Sequence, residues 1–184
     1  MYSGKNPSAL KSQRALAWAL YELMQSYPYQ KITITALCAQ AGISRQTFYQ
    51  LFDGKDEVIR MFLRIKLRRG FENIDDREFV DLSDVVRDLL LPFEKDRVFL
   101  RMLYHNGLDA LVSDELLRVI SLATEKVQAG HTRRTRGYAD AFLAGGLTNL
   151  LLAWVVDDDP LSDRAVAGII SDILQGHYYT EPIV

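Results

Sequence analysis

The stretch AGISRQTFYQLF, residues 41–52, decides the fold of this chain. Glycine readily takes the left-handed conformation that ends a helix, so we expect Gly42 to end one helix. Serine is a preferred N-cap residue, so Ser44 predicts the start of the next helix, which runs to about Phe52. Two short helices joined by a glycine-containing turn form a helix-turn-helix, in which the second helix enters the major groove of DNA.

The helix that follows Ser44 divides into two faces at 3.6 residues per turn. The anchoring face carries the large apolar side chains of Phe48, Leu51 and Phe52. The opposite face carries Gln46 and Gln50, flanked by Thr47 and Tyr49, with Arg45 at the helix start. The sequence therefore predicts two aromatic anchors in the core and one aromatic side chain, that of Tyr49, pointing outward.

The outward face has the chemistry for reading DNA. Glutamine makes a bidentate contact to adenine, arginine makes one to guanine, and a threonine methyl group contacts thymine. The hydroxyl groups of Ser44 and Tyr49 suit phosphate oxygens, which set the position of a protein on DNA without reading sequence. Lys55 opens the next helix, where its charge and the nearby backbone amides suit another phosphate.

The rest of the chain is helical by its apolar periodicity, and no alternating strand pattern persists over a useful length. We predict an all-α protein of about nine helices. A first helix stops near Pro28, a second begins at about Thr33 or Thr35, and a fourth follows the Asp53–Gly54 break. Further helices are expected at about 81–91, 94–105, 110–129, 136–156 and 162–176. The expected division is a DNA-binding domain at 1–54, a connecting helix at 55–70 and a C-terminal regulatory and dimerisation domain at 71–184.

The charge of the chain is unevenly distributed. Its net charge is −2, yet residues 1–70 hold 11 Lys/Arg against 4 Asp/Glu, and the remainder holds 11 against 20. The first part therefore carries +7 and the second −9. A basic segment of this size faces either a polyanion or solvent.

Composition indicates a cytoplasmic globular protein. Hydrophobic residues make up 48% of 184 residues, enough for a core. The single cysteine, Cys38, falls on the inward face of the second helix, which favours a buried, unreactive thiol. The N-terminus lacks an apolar signal core. The most apolar run, residues 141–156, has 16 residues, short of the roughly 20 of a membrane span, so we expect a buried helix.

Catalytic and metal-binding motifs are missing from the sequence. It contains neither a nucleophile elbow nor a phosphate-binding loop, so we expect no enzyme and no cofactor. The three histidines, His105, His131 and His177, show no ligand spacing, and Asp157–Asp159 lack the spacing of a calcium loop. No metal site is predicted.

The segment ITITALCAQAGISRQTFYQLFDGKDEVI, residues 32–59, resembles the DNA-binding region of the TetR family of bacterial transcription regulators. The resemblance rests on the threonine before the second helix, the Ala-Gly-Ile-Ser turn, the Phe-Tyr pair and the Lys-Asp-Glu opening of the next helix. It covers roughly residues 10–60. It implies base reading by Arg45, Gln46, Thr47 and Gln50, although Gln50 stands where the family often has histidine. It implies phosphate contacts by Thr33, Ser44, Tyr49 and Lys55.

Residues 142–174 resemble a subgroup of TetR-like C-terminal domains with a Gly-Gly pair and a tryptophan on the penultimate helix. In the family, the last two helices pair with those of a second subunit, which implies a homodimer on a near-palindromic operator in double-stranded DNA. A helix that is apolar nearly all round must also be covered on more than one side. The expected interface residues are Gly145, Gly146, Val166, Ile169, Ile170 and Ile173. The glycine pair also suits close packing within one subunit.

The resemblance implies a small apolar effector enclosed by the C-terminal helices, and a repressor is the favoured reading. The expected pocket residues are Phe99, Met102, Leu103, Tyr104, His105, Phe142, Asn149 and Trp154. The same residues would also suit a packed core. The alternative is a TetR-like activator or adaptor whose acidic C-terminal domain docks a protein coactivator. A ligand pocket leaves a buried apolar cavity, whereas a docking protein has a filled core and an exposed apolar patch.

Overall fold

The computed structural model describes residues 6–75, 96–126 and 132–178. Within these ranges the chain forms eight α-helices and one 3-10 turn, Tyr29–Lys31, and no strand. The helices are α1 (Pro7–Ser26), α2 (Ile34–Ala41), α3 (Arg45–Leu51), α4 (Lys55–Asp75), α5 (Arg97–His105), α6 (Asp109–Lys126), α7 (Arg133–Val156) and α8 (Asp163–Leu174). The expected all-α class is confirmed. The helix predicted at 81–91 lies outside the described residues.

Helix α1 begins and ends where local chemistry requires. The side chain of Asn6 accepts a hydrogen bond from the amide of Ser8, and Pro7 occupies the first helical position, where a missing N–H costs nothing. The helix ends ahead of Pro28, as predicted. The helix packs against α2 and α4, and Leu16 and Leu20 on its inner face are 0% and 2% exposed. Helix α1 therefore supports α2, which in turn packs against α3.

Helix α4 connects the helix-turn-helix to the C-terminal helices, and it runs to Asp75 where the sequence predicted about residue 70. It packs against both α1 and α6. Leu63 and Leu67 lie one turn apart on its buried face, and each is at most 1% exposed. A rotation or shift of α4 would therefore change its packing against both α1 and α6.

A buried carboxylate fixes α4 to α6. Glu115 of α6 accepts hydrogen bonds from Arg64 of α4, with Nε and Nη2 at 3.0 and 2.8 Å from its Oε1, and from Arg118 at 2.8 Å. Burial alone would raise the pKa of Glu115, but the hydrogen bonds from Arg64 and Arg118 outweigh it, and the net pKa is lowered. Arg60 completes the group with an ion pair to Asp114 at 2.8 Å.

The C-terminal helices form a second packed layer, in which α7 lies against α5 and α6. Arg97 and Arg101 of α5 donate to the last carbonyls of α7, at 2.7 Å to Trp154 and 2.8 Å to Val155. Cations at a helix C-terminus satisfy carbonyls that have no partner within the helix. The predicted starts of α7 and α8 at 136 and 162 shift to Arg133 and Asp163, each preceded by a hydroxyl N-cap, Thr132 and Ser162.

By length and composition, α7 is one helix among the described residues that could cross a membrane. Core helices of soluble proteins pass the same test. Leu151, Leu152 and Val155 of α7 are buried inside the protein, as the sequence predicted for this run. The apolar character of α7 is therefore partly explained by packing within the protomer.

Candidate DNA-binding interface

The turn between α2 and α3 is built as the sequence predicts. Gly42 has φ 64° and ψ 31°, the left-handed conformation. The amide of Ile43 donates to the carbonyl of Cys38 at 3.0 Å, and the amide of Gly42 donates to Ala39 at 3.2 Å. This pair of bonds is a Schellman motif, which satisfies the last carbonyls of α2 and turns the chain toward α3.

Hydroxyl side chains cap both helices of the motif. Thr33 Oγ1 accepts from the amide of Ala36 at 3.1 Å, and Ser44 Oγ accepts from the amide of Thr47 at 3.0 Å. The Ser44 and Thr47 hydroxyl oxygens lie 2.9 Å apart. Both predicted phosphate-contacting hydroxyls thus already stabilise a helix N-terminus. Ser44 and Thr33 are exposed, so their hydroxyls stay accessible to a further partner.

The two faces of α3 are confirmed. Phe48, Leu51 and Phe52 are buried, with at most 4% of each exposed, and the rings of Phe48 and Phe52 lie 5.8 Å apart. Tyr49 is 52% exposed and packs edge-on against Phe48. Arg45, Gln46 and Gln50 are exposed, and Thr47 is half-buried at their margin. The aromatic anchors bury one side of α3 while its polar side faces solvent.

Cys38 lies behind this face, 4% exposed in the core. Burial raises the pKa of the Cys38 thiol, although the positive charge of Arg45 acts in the opposite direction. A thiol with a raised pKa is a poor nucleophile. The predicted structural role of Cys38 agrees with this environment.

Lys55 has a structural role that the sequence did not reveal. Its ammonium donates to the carbonyls of Tyr29 at 2.6 Å and Ile32 at 2.9 Å, and it lies 3.9 Å from the centre of the Tyr29 ring. Burial lowers the pKa of Lys55, with Asp56 acting against it. An ammonium has three donors. Two are used inside the protein, so one is left for the phosphate contact that the family resemblance implies.

Tyr29 joins the DNA-binding helices to the C-terminal helices. Its amide donates to Asn106 Oδ1 at 2.7 Å, and Gln30 Nε2 donates to the Asn106 carbonyl at 2.8 Å. The Tyr29 hydroxyl donates to Asp56, and desolvation together with that carboxylate raises the pKa of Tyr29. Asn106 is the C-cap of α5. The end of α5 therefore makes direct contact with the 3-10 turn that lies before α2.

The residues of the expected effector pocket differ in their burial within the protomer. Phe99, Leu103 and Trp154 are buried and Met102 is half-buried, whereas Tyr104, His105, Phe142 and Asn149 are exposed. Phe142 of α7 is 73% exposed. Trp154 donates its Nε1–H to the Leu161 carbonyl at 2.8 Å, which ties α7 to the segment before α8.

A cavity of about 360 Å³ lies in a different place, between α1, α4 and α5. Of the expected pocket residues, Phe99 lines it. Its other apolar walls come from α1 and α4, including Tyr21 and Phe62. The other lining residues of this cavity were not among the expected pocket residues.

The expected interface residues divide in the same way. Val166 and Ile170 are 4% and 6% exposed and pack inside the protomer, whereas Ile173 is 38% exposed. Gly146 is exposed and Gly145 and Ile169 are half-buried. A Cβ atom added at Gly145 or Gly146 would meet nothing within 4 Å. The glycine pair is therefore not required for packing within one protomer.

A short capped helix presented on an aromatic core, with glutamine and arginine on its outer face, defines a helix-turn-helix DNA-binding protein. Residues 19–61 match the family of bacterial regulatory proteins named for TetR. These residues therefore carry a DNA-binding domain of the TetR type, the domain found in DNA-binding transcription regulators.

Solved structures share the fold over nearly the whole chain. The crystal structure of Lin0861 from Listeria innocua has a TM-score of 0.74 at 18% identity and covers 96% of each chain. DhaS, a dihydroxyacetone kinase operon activator, has a TM-score of 0.57 at 17% identity, over 91% of this chain and 96% of that one. No curated protein matches the sequence. At these identities the likeness concerns the fold.

Proposed function

We propose that the protein is a cytoplasmic homodimer that binds a near-palindromic operator in double-stranded DNA and represses transcription until a small effector releases it. Two α3 helices would occupy successive major grooves, about 34 Å apart on one face of the DNA. Arg45, Gln46, Thr47 and Gln50 would read base edges. Thr33, Ser44, Tyr49 and Lys55 would contact phosphates.

The outer face of α3 is the observation that carries this proposal. Gln46 and Gln50 are exposed one turn apart, and neither is part of the core, so both amides are available for bidentate contacts to adenine. Phe48 is 0% exposed and resists displacement of the helix. The net charge of +7 over residues 1–70 favours association with the phosphate backbone.

An uncovered apolar strip on α7 and α8 supports the homodimer. On α7, Tyr138 and Phe142 are each 73% exposed one turn apart, followed by Gly146 on the same side. On α8, Ile173 and Leu174 are 38% and 37% exposed. Exposed aromatic and aliphatic side chains beside glycine allow close approach of a second pair of helices. Phe142 thus suits the subunit interface better than the effector pocket.

The junction at Tyr29 supports regulation by a shift of the C-terminal helices. Asn106 at the end of α5 holds the backbone of Tyr29, whose carbonyl in turn holds Lys55 at the start of α4. A ligand that moves α5 would therefore pull both on the segment that precedes α2 and on the start of α4. It shifts the equilibrium only by its difference in affinity for the two arrangements.

The alternative is an activator or adaptor whose C-terminal helices bind a protein coactivator. Its support is the likeness in fold to DhaS, which is an operon activator. The two proposed functions differ in the kind of molecule, small effector or protein partner, that changes the activity of the purified protein. A repressor with an effector loses operator affinity when a small molecule binds, whereas an adaptor changes its output only when a protein partner is present.

Selection of binding sites from random duplex DNA tests the central proposal. We expect an inverted repeat whose half-sites are about one helical turn apart. Gln46→Ala should weaken binding to the selected site by about 1–3 kcal/mol and leave random DNA nearly unchanged. Gln25→Ala, an exposed glutamine on α1, is the matched control and should change neither. Equal losses for Gln46→Ala on both DNAs would remove base reading from that residue.

Sedimentation tests the dimer separately. Phe142→Glu, Ile173→Glu and Gly146→Leu should each give folded protein with a weakened dimer, because each places charge or bulk in the strip. Tyr104→Glu is the control, since Tyr104 is 44% exposed on α5. Ile170→Asp is a poor test because Ile170 is buried within the protomer. A dimer unchanged in all three variants would place the subunit contact elsewhere.

A further inference from the structure

We infer that the cavity between α1, α4 and α5 is a binding site for a small aromatic carboxylate. The cavity lies against helices that support the helix-turn-helix, whereas the effector pocket expected from the family resemblance lies among the C-terminal helices. The regulatory part of this inference rests on the proposed function, but the binding part does not.

Aromatic rings form the apolar walls of this site. Phe62 of α4 and Phe99 of α5 have ring centres 4.2 Å apart, and Tyr21 of α1 lies 6.1 Å from Phe99. Trp18 stacks on Tyr21 with centres 5.5 Å apart. Flat rings arranged in this way favour stacked and edge-on contacts with another flat ring. The volume of about 360 Å³ falls within the range of small-molecule sites.

The mouth of the cavity is apolar and open to solvent. Trp18, Ile65 and Val98 line the cavity and are 64%, 46% and 62% exposed. They come from α1, α4 and α5, so they surround the opening on three sides. Trp18 is held in place by a hydrogen bond from its indole nitrogen to Glu22 at 2.7 Å. A ligand can therefore enter without unfolding a helix and cover apolar surface that now faces water.

The charges at the cavity select an anion. Besides the aromatic walls, the lining includes two charged residues, Arg14 of α1 and Asp96 before α5. Asp96 is paired with Lys66, so its charge is compensated. Arg14 is exposed, and among the residues that the structure describes it makes no hydrogen bond or ion pair. Its guanidinium is free to bind a carboxylate bidentately at the edge of the aromatic walls.

Occupancy would act on the elements that position α3. The walls belong to α1 and α4, which pack on each other, and to α5, whose C-terminal Asn106 holds Tyr29. A ligand wedged between Phe62 and Phe99 would change the distance between α4 and α5. It would affect operator binding to the extent that it prefers one arrangement over the other.

Calorimetric titration of the full-length protein with 2-naphthoate and its neutral analogue 2-naphthalenemethanol tests the site. We expect the carboxylate to bind about tenfold more tightly than the alcohol, because one charge-assisted hydrogen-bonded contact at a partly exposed site contributes about that factor in affinity. Arg14→Gln should remove that difference and leave binding of the alcohol within about twofold. Lys11→Gln, an exposed cation on α1 outside the cavity, should change neither.

Two variants that fill the site locate it. Ala17→Phe adds a ring inside the cavity, and Ile65→Trp narrows its mouth; both should abolish binding of the two probes while circular dichroism shows an intact helical fold. The inference is overturned if neither probe binds the wild-type protein, if Arg14→Gln behaves as Lys11→Gln does, or if a folded filling variant binds as well as wild type.

Operator binding in the presence of saturating naphthoate separates the site from the proposed function. A change in operator affinity that Arg14→Gln suppresses would support both. Naphthoate binding that depends on Arg14, with unchanged operator affinity, upholds the site and counts against release by a molecule of this class. The titrations alone decide whether the site exists.

Discussion

Replacing Glu115 by alanine should destabilise the protein more than any change of an exposed charge on the same helix. The carboxylate is 1% exposed and accepts hydrogen bonds from Arg64 and Arg118. Removing one partner of a buried ion pair costs about 3–5 kcal/mol. The side chains of Arg64 and Arg118 are 30% and 43% exposed, so water recovers part of their solvation. We therefore expect a loss of about 2–3 kcal/mol in the free energy of unfolding.

Urea unfolding at one fixed protein concentration measures this loss, because the stability of a dimer depends on concentration. Asp114→Ala is the matched control. The Asp114 carboxylate is next to Glu115 in sequence, is 58% exposed and pairs with Arg60 at 2.8 Å. We expect it to cost about 0.5 kcal/mol or less. If Glu115→Ala cost no more than Asp114→Ala, the buried ion pairs would not be what holds α4 to α6.

The stabilisation by Glu115 should also depend on pH in a defined direction. Because the pKa of Glu115 is lowered in the folded protein, its contribution is fully present above the unfolded pKa, which is about 4.3 for glutamate. It is lost as the pH falls below that value through the folded pKa. The difference in stability between wild type and Glu115→Ala should therefore shrink on acidification below about pH 4. A difference that stays constant or grows would contradict this sign.

Three further changes probe the helix-turn-helix and its junction. Phe48→Ala removes a fully buried ring and should cost about 3–5 kcal/mol in urea unfolding, whereas Tyr49→Ala should cost less than about 1. Gly42→Ala places a side chain at φ 64° and should cost about 1–2 kcal/mol by the same measurement; a neutral result would mean that the turn relaxes. Asn106→Ala removes the acceptor for the Tyr29 amide, so hydrogen exchange at that amide should accelerate while exchange at Leu37 stays unchanged.

Local signals in the sequence were sufficient for the DNA-binding region. Thr33, Gly42 and Ser44 each act on backbone groups within five residues of themselves, so residue type and spacing predict their geometry. The burial of Phe48 beside the exposed Tyr49 follows from helical periodicity alone. The candidate base-reading residues rest on the same periodicity, and their contacts with DNA remain predictions.

Contacts between distant segments were beyond the sequence. Asn106 and Tyr29 are 77 residues apart, and nothing near either residue indicates the other. Periodicity also predicts that a face of a helix is apolar without saying what covers it. Phe142 and Ile170 are both apolar, yet Phe142 is exposed to solvent while Ile170 is buried within the protomer. The burial of the effector and interface candidates within the protomer could not be read from the sequence for that reason, and their roles stay predictions.

The isolated cysteine makes the DNA-binding core observable on its own. Cys38 is the one cysteine of the chain, and it is buried beneath α3 with its thiol pKa raised. An alkylating reagent can reach this buried thiol only when the surrounding helices open. The rate of alkylation therefore reports the opening of the DNA-binding helices, by local or global unfolding, without an introduced label. Comparing that rate with global unfolding, on DNA and off it, would give the local stability of the recognition unit directly.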